Sequence, residues 1–186
     1  MKTQRLLLLL ILLPLQLCAA VAPENLAVGD WVFRAGTGRE SALIRYLDGG
    51  EYSHIGIVVA VTPEIRIVHA TTDDDPARPN QVIASSLAEF SAPQLAGKVA
   101  AARPVFLNEA ERAQLAAAVA SHLGEPFHLT ARDQSPRYCT TIIYDALIAL
   151  RPATSARWRH IDLPLLEGDY LFPQALAELP QLEWLP

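Results

Sequence analysis

One thiol and two imidazoles carry the chemistry this sequence can do. The chain has two cysteines, and Cys18 lies at the end of a segment that reads as an export signal. Removal of that segment after Ala20 leaves Cys139 as a single thiol in an oxidising compartment, where it has no intramolecular partner for a disulfide. It is then either a nucleophile or a liability. His54 falls in Tyr52-Ser53-His54-Ile55-Gly56-Ile57-Val58, and His69 in Ile67-Val68-His69-Ala70. Two histidines on neighbouring strands can divide the work, one as base and the other orienting it through the second ring nitrogen. Cys139 opens an apolar helical run, where the macrodipole favours a thiolate and backbone N–H groups face a developing oxyanion. The plainer readings are a histidine satisfied within a core strand and a buried cysteine that is inert filling. His54, His69, His128, Asp73 and Cys139 are of metal-ligating types, but no HxxxH, HExxH or CxxC spacing organises them. We therefore expect no metal and no cofactor.

The elements that must position these groups follow from periodicity and punctuation. Gly29-Asp30 is a turn feeding a strand over 31–33, and Leu43, Ile44 and Leu47 mark a short amphipathic helix over 39–47, stopped by Gly49-Gly50. Residues 52–61 read as a buried strand and 65–70 as its hairpin partner, with further strands at 81–83 and 98–104. Alternation puts Tyr52, His54 and Gly56 on one face and Ser53, Ile55 and Ile57 on the other. The acidic loop 73–80 reads as a solvated turn, with gating or cation binding as its alternatives. Asn108 caps an alanine-rich helix running to Leu123, with Glu109 and Glu111 in its first turn and Gly124 past its end. A second helix spans 138–150. Strands precede helices, an α+β pattern.

Export is read from Lys2 and Arg5, from an apolar run over 6–17, and from the small residues Cys18-Ala19-Ala20 before the cut. The run is short for a membrane span. Residues 1–20 are thus expected to be a signal peptide and the destination a periplasm. A lipoprotein anchored at Cys18 is the competing reading, since Leu15-Gln16-Leu17-Cys18 has the leucine and cysteine of a lipobox but a large Leu17 where a small residue belongs. Residues 21–186, about 165 in all, make one domain able to bury a core. A net charge of -5 excludes a nucleic-acid partner, which needs a basic face. The prolines gather towards the C-terminus, which predicts an irregular tail wrapped on the domain.

Taken in order, Gly29-Asp30-Trp31-Val32-Phe33, Tyr52 to Val58 and Ile67 to Ala70 resemble the Gly-Asp and histidine blocks of the NlpC/P60 papain-like hydrolases. In most of that superfamily the cysteine helix comes first, whereas here Tyr138-Cys139-Thr140-Thr141-Ile142-Ile143-Tyr144 follows. That order is similar to the circularly permuted, YiiX/YaeF-like papain-like amidases. Gly124-Glu125-Pro126-Phe127 and Phe172-Pro173-Gln174-Ala175-Leu176 add to the likeness, which spans 28–179.

The resemblance implies a permuted papain-like fold, an antiparallel sheet packed against helices with the nucleophile at a helix N-terminus. It implies Cys139 as nucleophile, His54 as general base and His69 as the residue orienting His54, with Tyr52 or Tyr138 near the oxyanion. Thr141 stands where many relatives carry a glutamate, and His128 where an aspartate often follows the proline-aromatic pair. The expected activity is cleavage of an amide through a thioester, as a cysteine peptidase or amidase acting on a small peptide, amide or acyl substrate, with peptidoglycan or a membrane lipid as the available sources. Two alternatives remain: a lipid-directed acyl hydrolase or transferase, and a binding module that captures a peptide, amino acid or lipid without turnover. A wide polar groove favours the peptidase, an apolar channel favours lipid, and an unreactive buried thiol favours binding.

Overall fold

The structure is a computed structural model that describes residues 21–164 and 166–186. The expected signal and Cys18 lie outside the described residues. Six strands form one antiparallel sheet in the order β4-β3-β2-β1-β5-β8. They are β1 (Trp31–Gly36), β2 (His54–Ala60), β3 (Arg66–Thr71), β4 (Gln81–Ser86), β5 (Ala96–Pro104) and β8 (Leu182–Trp184). Helix α1 (Arg39–Asp48) connects β1 to β2, and the one-turn α2 (Leu87–Phe90) follows β4. Helices α3 (Glu109–Ala120) and α4 (Cys139–Leu150) pack together against β2, and α4 also reaches β3. The ribbon β6 (Trp158–Ile161) and β7 (Gly168–Leu171) and the short α5 (Pro173–Ala177) complete the chain before β8. The α+β arrangement of an antiparallel sheet against helices is as the sequence implied.

Both faces of the central strands are covered, which is why their sequences are almost continuously apolar. Along β1, Trp31 and Phe33 enter the core beneath α3 and α4, while Val32 enters a second cluster with Val58, Ile67 and Phe90, closed by Val21 and Leu26. Asn108 and Glu111 cap α3 reciprocally, the side chain of Asn108 accepting from Glu111 N at 3.0 Å and Glu111 accepting from Asn108 N at 2.9 Å. The Gly-Asp turn before β1 has a physical basis in both residues. Gly29 takes φ +88°, and a Cβ there would lie 2.5 Å from Arg112 Cβ. The wholly buried Asp30 accepts from Ala27 N at 2.8 Å and takes Arg103 through two bonds of 2.8 and 2.7 Å, tying the turn to β5.

Three expectations need correction. First, β1 runs on through Arg34 to Gly36 rather than ending at Phe33, because Arg34 is buried and finds partners for its charge. Second, the C-terminal tail is not irregular: it supplies the β6–β7 ribbon, α5 and an edge strand, with Pro164, Pro173 and Pro180 at the breaks between them, Pro173 opening α5. Third, the chain bends at Ser53, so Tyr52 leaves the face of His54 and stacks among Phe33 and Trp184, with ring centroids 5.2 and 5.8 Å away. Among the described residues no helix is long and apolar enough to cross a membrane.

The Asp30→Ala variant leaves Arg103 facing an apolar turn without its carboxylate. Arg103 is a quarter exposed and keeps Asn25 O, so we expect a loss of about 1.5–3 kcal/mol of unfolding free energy in a urea titration; a loss below about 1 kcal/mol would show that the Gly-Asp turn is not held by this pair.

Candidate active site

Cys139 is the first residue of α4, and the backbone N–H of Tyr138 just before it donates to Thr141 Oγ1 at 2.9 Å. Thr141 also lies 3.1 Å from Tyr138 O and 3.3 Å from Pro136 O, to which its hydroxyl donates. A glutamate at that position would cap the same N–H, so the threonine keeps the helix start in place. The thiol is buried, and the backbone N–H groups of Ile55, Thr140 and Cys139 itself act on it. Among the described residues it is the one free cysteine.

His54 begins β2 and His69 lies in β3. Their rings meet edge to face with His54 Nε2 2.9 Å from His69 Nδ1, and His69 Nε2 lies 3.0 Å from Ser85 Oγ on β4. In the neutral tautomers in which His54 Nε2–H donates to His69 Nδ1 and His69 Nε2–H donates to Ser85, His54 Nδ1 is the basic nitrogen; the reverse tautomers place the proton on His54 Nδ1. Gly56 makes this approach possible. A Cβ there would stand 2.5 Å from Ile67 Cγ2 and 3.2 Å from His69 Cβ, forcing β3 and its histidine away.

Cys139 and His54 line one cavity of about 390 Å³, together with Arg34, Ser53, Asp74 and Tyr138 at its polar end. Its remaining walls are mixed: Ile44 and Leu47 from α1, Phe127, Ile161 from β6, and Leu166 and Phe172 flanking β7 are apolar, while Glu40, Ser41, Thr71, Thr72 and Asp73 add polar and acidic groups. Tyr138 is at this wall, its hydroxyl accepting from Leu171 N at 2.8 Å, and its burial pushes the phenol's pKa up. Tyr52 is not among the lining residues.

Desolvation sets the resting protonation states. Burial pushes the Cys139 thiol up to about 11, against the pull of the Ile55 and Thr140 amides and the Arg34 charge. The same cause holds His54 well below its usual value, with Arg34 and His69 adding to it. His69 is brought down to about 3 by burial, partly offset by Asp74 and reinforced by Arg34. Burial therefore opposes the thiolate that the helix start was expected to favour, and it pushes both the thiol and the imidazole towards their neutral forms.

Two residues missed from the sequence belong to the site. Arg34 and Asp74 pair at 2.8 Å with both side chains more than nine-tenths buried, and Asp74 Oδ2 lies 3.8 Å from His69 Nδ1. The acidic loop is thus not simply a solvated turn, since its middle aspartate faces inward. Asp75 instead caps Ala77 N and binds Arg78 at the surface. His54, His69 and Asp74 bring three ligand-type atoms within 4.8 Å of one another. They do not fit a dication as arranged, because the facing imidazole nitrogens bond each other and the carboxylate is held by a guanidinium. His128 and Asp73, named as ligand types in the sequence, are exposed and stand outside this cluster.

A permuted order of strands and cysteine helix around such a cavity defines a papain-like hydrolase of rearranged topology. The chain belongs to the permuted papain-like amidase enzymes of the YaeF/YiiX, C92 family, whose family model matches residues 25–184. Among solved structures it is similar to that of the metalloprotein yiiX from Escherichia coli O157:H7. The TM-score is 0.70 and the identity 19%, over 87% of this chain and 97% of that one, a likeness of fold. No curated protein matches.

A histidine buried neutral costs stability when it must charge. The unfolded chain takes up a proton near pH 6.5, whereas folded His69 resists until about 3, so its stabilising contribution is present above pH 6.5 and drains away as the pH falls through that window. The unfolding free energy of the native protein between pH 6 and 4 should have a slope about 1.4 kcal/mol per pH unit steeper than that of His69→Gln. Equal slopes would mean that His69 titrates normally.

Proposed function

We propose that the protein is an exported thiol hydrolase that cleaves an amide or ester bond whose acyl group is apolar. The observation that carries this reading is one cavity lined by both a helix-start cysteine and a histidine whose Nε2 is engaged by a second imidazole, with aliphatic and aromatic side chains making up much of its wall. In the proposed reaction the substrate carbonyl enters beside Cys139. As Sγ bonds to the carbonyl carbon, its proton passes to His54 Nδ1, so neither group has to rest charged in the cavity. The N–H groups at the start of α4 offer donors for the developing oxyanion, and Tyr138 shapes that end of the cavity. His54 then protonates the departing amine or alcohol as its bond to carbon breaks. Water, deprotonated by the same imidazole, resolves the thioester to a carboxylic acid and restores the thiol. His69 keeps the His54 ring turned so that Nδ1 stays available. No step runs through a metal, because the candidate donors are already engaged with one another and with Arg34.

The walls bear on the choice between substrates. A lipid acyl chain or an apolar peptide residue matches Ile44, Leu47, Phe127 and Phe172, while the charged groups of a cell-wall peptide stem would have to be met by Arg34, Glu40, Asp73 and Asp74 alone. The lipid-directed alternative is thus favoured over a cell-wall peptide. A non-catalytic binding module is the second reading, and the observation in its favour is the buried thiol with its raised pKa.

Acyl p-nitroanilides and p-nitrophenyl esters of increasing chain length separate these readings. For the hydrolase, kcat/KM should rise about fourfold per added CH₂, the equivalent of about 0.8 kcal/mol, until the cavity is full. Cys139→Ala should abolish turnover and His54→Ala should lower kcat by about 10²- to 10⁴-fold. Binding of the same acyl groups with no turnover, and iodoacetamide labelling of Cys139 that is slow and unaffected by His54→Ala, would instead establish the binding module.

A further inference from the structure

Arg34 stands directly across from His54 in the β1–β2 register, so both side chains leave the same face of the sheet. From there the guanidinium reaches over the histidine strands. Nη2 donates to Asp74, 3.0 Å from Oδ1 and 2.8 Å from Oδ2, and Nη1 donates to Phe90 O at 3.1 Å. Its Cζ also lies 4.9 Å from the centre of the Phe90 ring, which packs against His54 at 5.6 Å and His69 at 5.1 Å. A surface arginine has no need of such a setting. This one is taken almost wholly out of water, and Asp74, the partner that justifies its burial, lies 3.8 Å from the His69 ring.

We propose that Arg34 and Asp74 act as one positioning unit for the His54–His69 relay, Arg34 fixing Asp74 beside His69 and balancing its negative charge next to the base. Their role follows from a simple comparison of charges. Asp74 alone, buried 3.8 Å from an imidazole, would draw a proton onto the relay and turn the base into an acid near neutral pH. Arg34 alone would leave a buried cation without a partner. Together they oppose one another at His69, while Arg34 also disfavours a charge on His54, so the base is held in the form able to accept the thiol proton. The charged and titratable groups facing the relay are Arg34 from β1, Glu40 from α1, Asp73, Asp74 and Arg78 from the loop after β3, Glu89 from α2, and Tyr138 and Cys139 at the start of α4. Of these carboxylates Asp74 is the one within 4 Å of His69.

The role rests on reading Cys139 and His54 as a thiol–imidazole pair, and the test separates the two claims. The rate of Cys139 alkylation by iodoacetamide is followed against pH in the native protein, Arg34→Gln and Arg34→Gln/Asp74→Asn, alongside ¹⁵N titration of the imidazoles by NMR. Arg34→Gln should raise the pH of the imidazole titration and of the acidic limb of alkylation by about one to three units. Adding Asp74→Asn should return both to the native position. A merely structural role would slow alkylation without moving the limb, or move it equally in single and double variants; either result overturns the proposal. Should Arg34→Gln fail to fold, Arg34→Lys keeps a charge but cannot hold Phe90 O and both oxygens of Asp74 together. It should give a smaller upward shift, again cancelled by Asp74→Asn, and its absence overturns the proposal equally. Alkylation insensitive to His54→Ala would sink the thiol-hydrolase reading itself, while the imidazole titrations would still decide whether Arg34 offsets Asp74.

Discussion

A row of polar side chains has to be kept satisfied across a sheet that is otherwise valine, isoleucine and alanine. Each buried polar group left without a partner costs on the order of 1–3 kcal/mol, and an unpaired charge costs more. Here His54, His69 and Ser85 are joined by hydrogen bonds of 2.9 and 3.0 Å and Arg34 pairs with Asp74, which stands 3.8 Å from His69; Arg34 Nε and Asp74 Oδ2 are left without a hydrogen-bond partner. The rest of the molecule is arranged around this row. Gly56 lets β3 come close, Phe90 fills the space beneath the three planar groups, and the bend at Ser53 leaves His54 at the end of its strand, where the cavity begins. A network of this kind is all or nothing, since deleting one member strands its neighbours.

Two forces meet at the Cys139 thiol, and their sizes decide its state. A helix terminus stabilises a charge by roughly 0.3–1 kcal/mol, less than one pKa unit, when exposed. Desolvation of a fully buried ionisable group shifts its pKa by up to about 3–5 units. The direction found for Cys139 is therefore what burial dictates, and the helix start only softens it. The functional consequence is that α4 does not need to keep a thiolate in store. Burial favours the neutral forms of both the sulfur and the imidazole that line the cavity, and the N–H groups of Ile55, Thr140 and Cys139 act on the sulfur in the opposite sense.

How much of this was legible in the sequence depended on whether the signal was periodic. The Asn108 and Glu111 cap, the β2–β3 hairpin and the helix opening at Cys139 are local patterns, and each has the predicted partners. The cysteine and the two histidines stood out because their types are rare in such apolar runs. Arg34 did not, because a charged residue after Trp31-Val32-Phe33 looks like the end of a strand. Only its distant partners at 74 and 90 explain why the strand goes on. The same holds for the run of aspartates at 73–75. Three identical residues carry no period, and nothing local says that Asp74 turns inward while Asp75 caps its own turn. Tyr52 misled in the opposite way, since alternation is a rule about strands and the strand begins two residues later.

The permuted order itself bears on how the site is assembled. Both histidines, Gly56, Arg34 and Asp74 lie within residues 34–74 of the chain, on three consecutive antiparallel strands and the loop that follows them. The buried polar chain is therefore largely a local construction, closed by Ser85 on the next strand and by the Phe90 carbonyl just beyond it. Cys139 arrives from far along the sequence on a helix whose seat is made of non-polar residues, Ile143 and Leu147 among them. Nothing polar ties the thiol to the imidazoles as strongly as they are tied to each other. The imidazole pair is thus held by hydrogen bonds while the thiol is placed by packing. The geometry between them depends on the volume of the core under α4 as much as on the residues that do the chemistry.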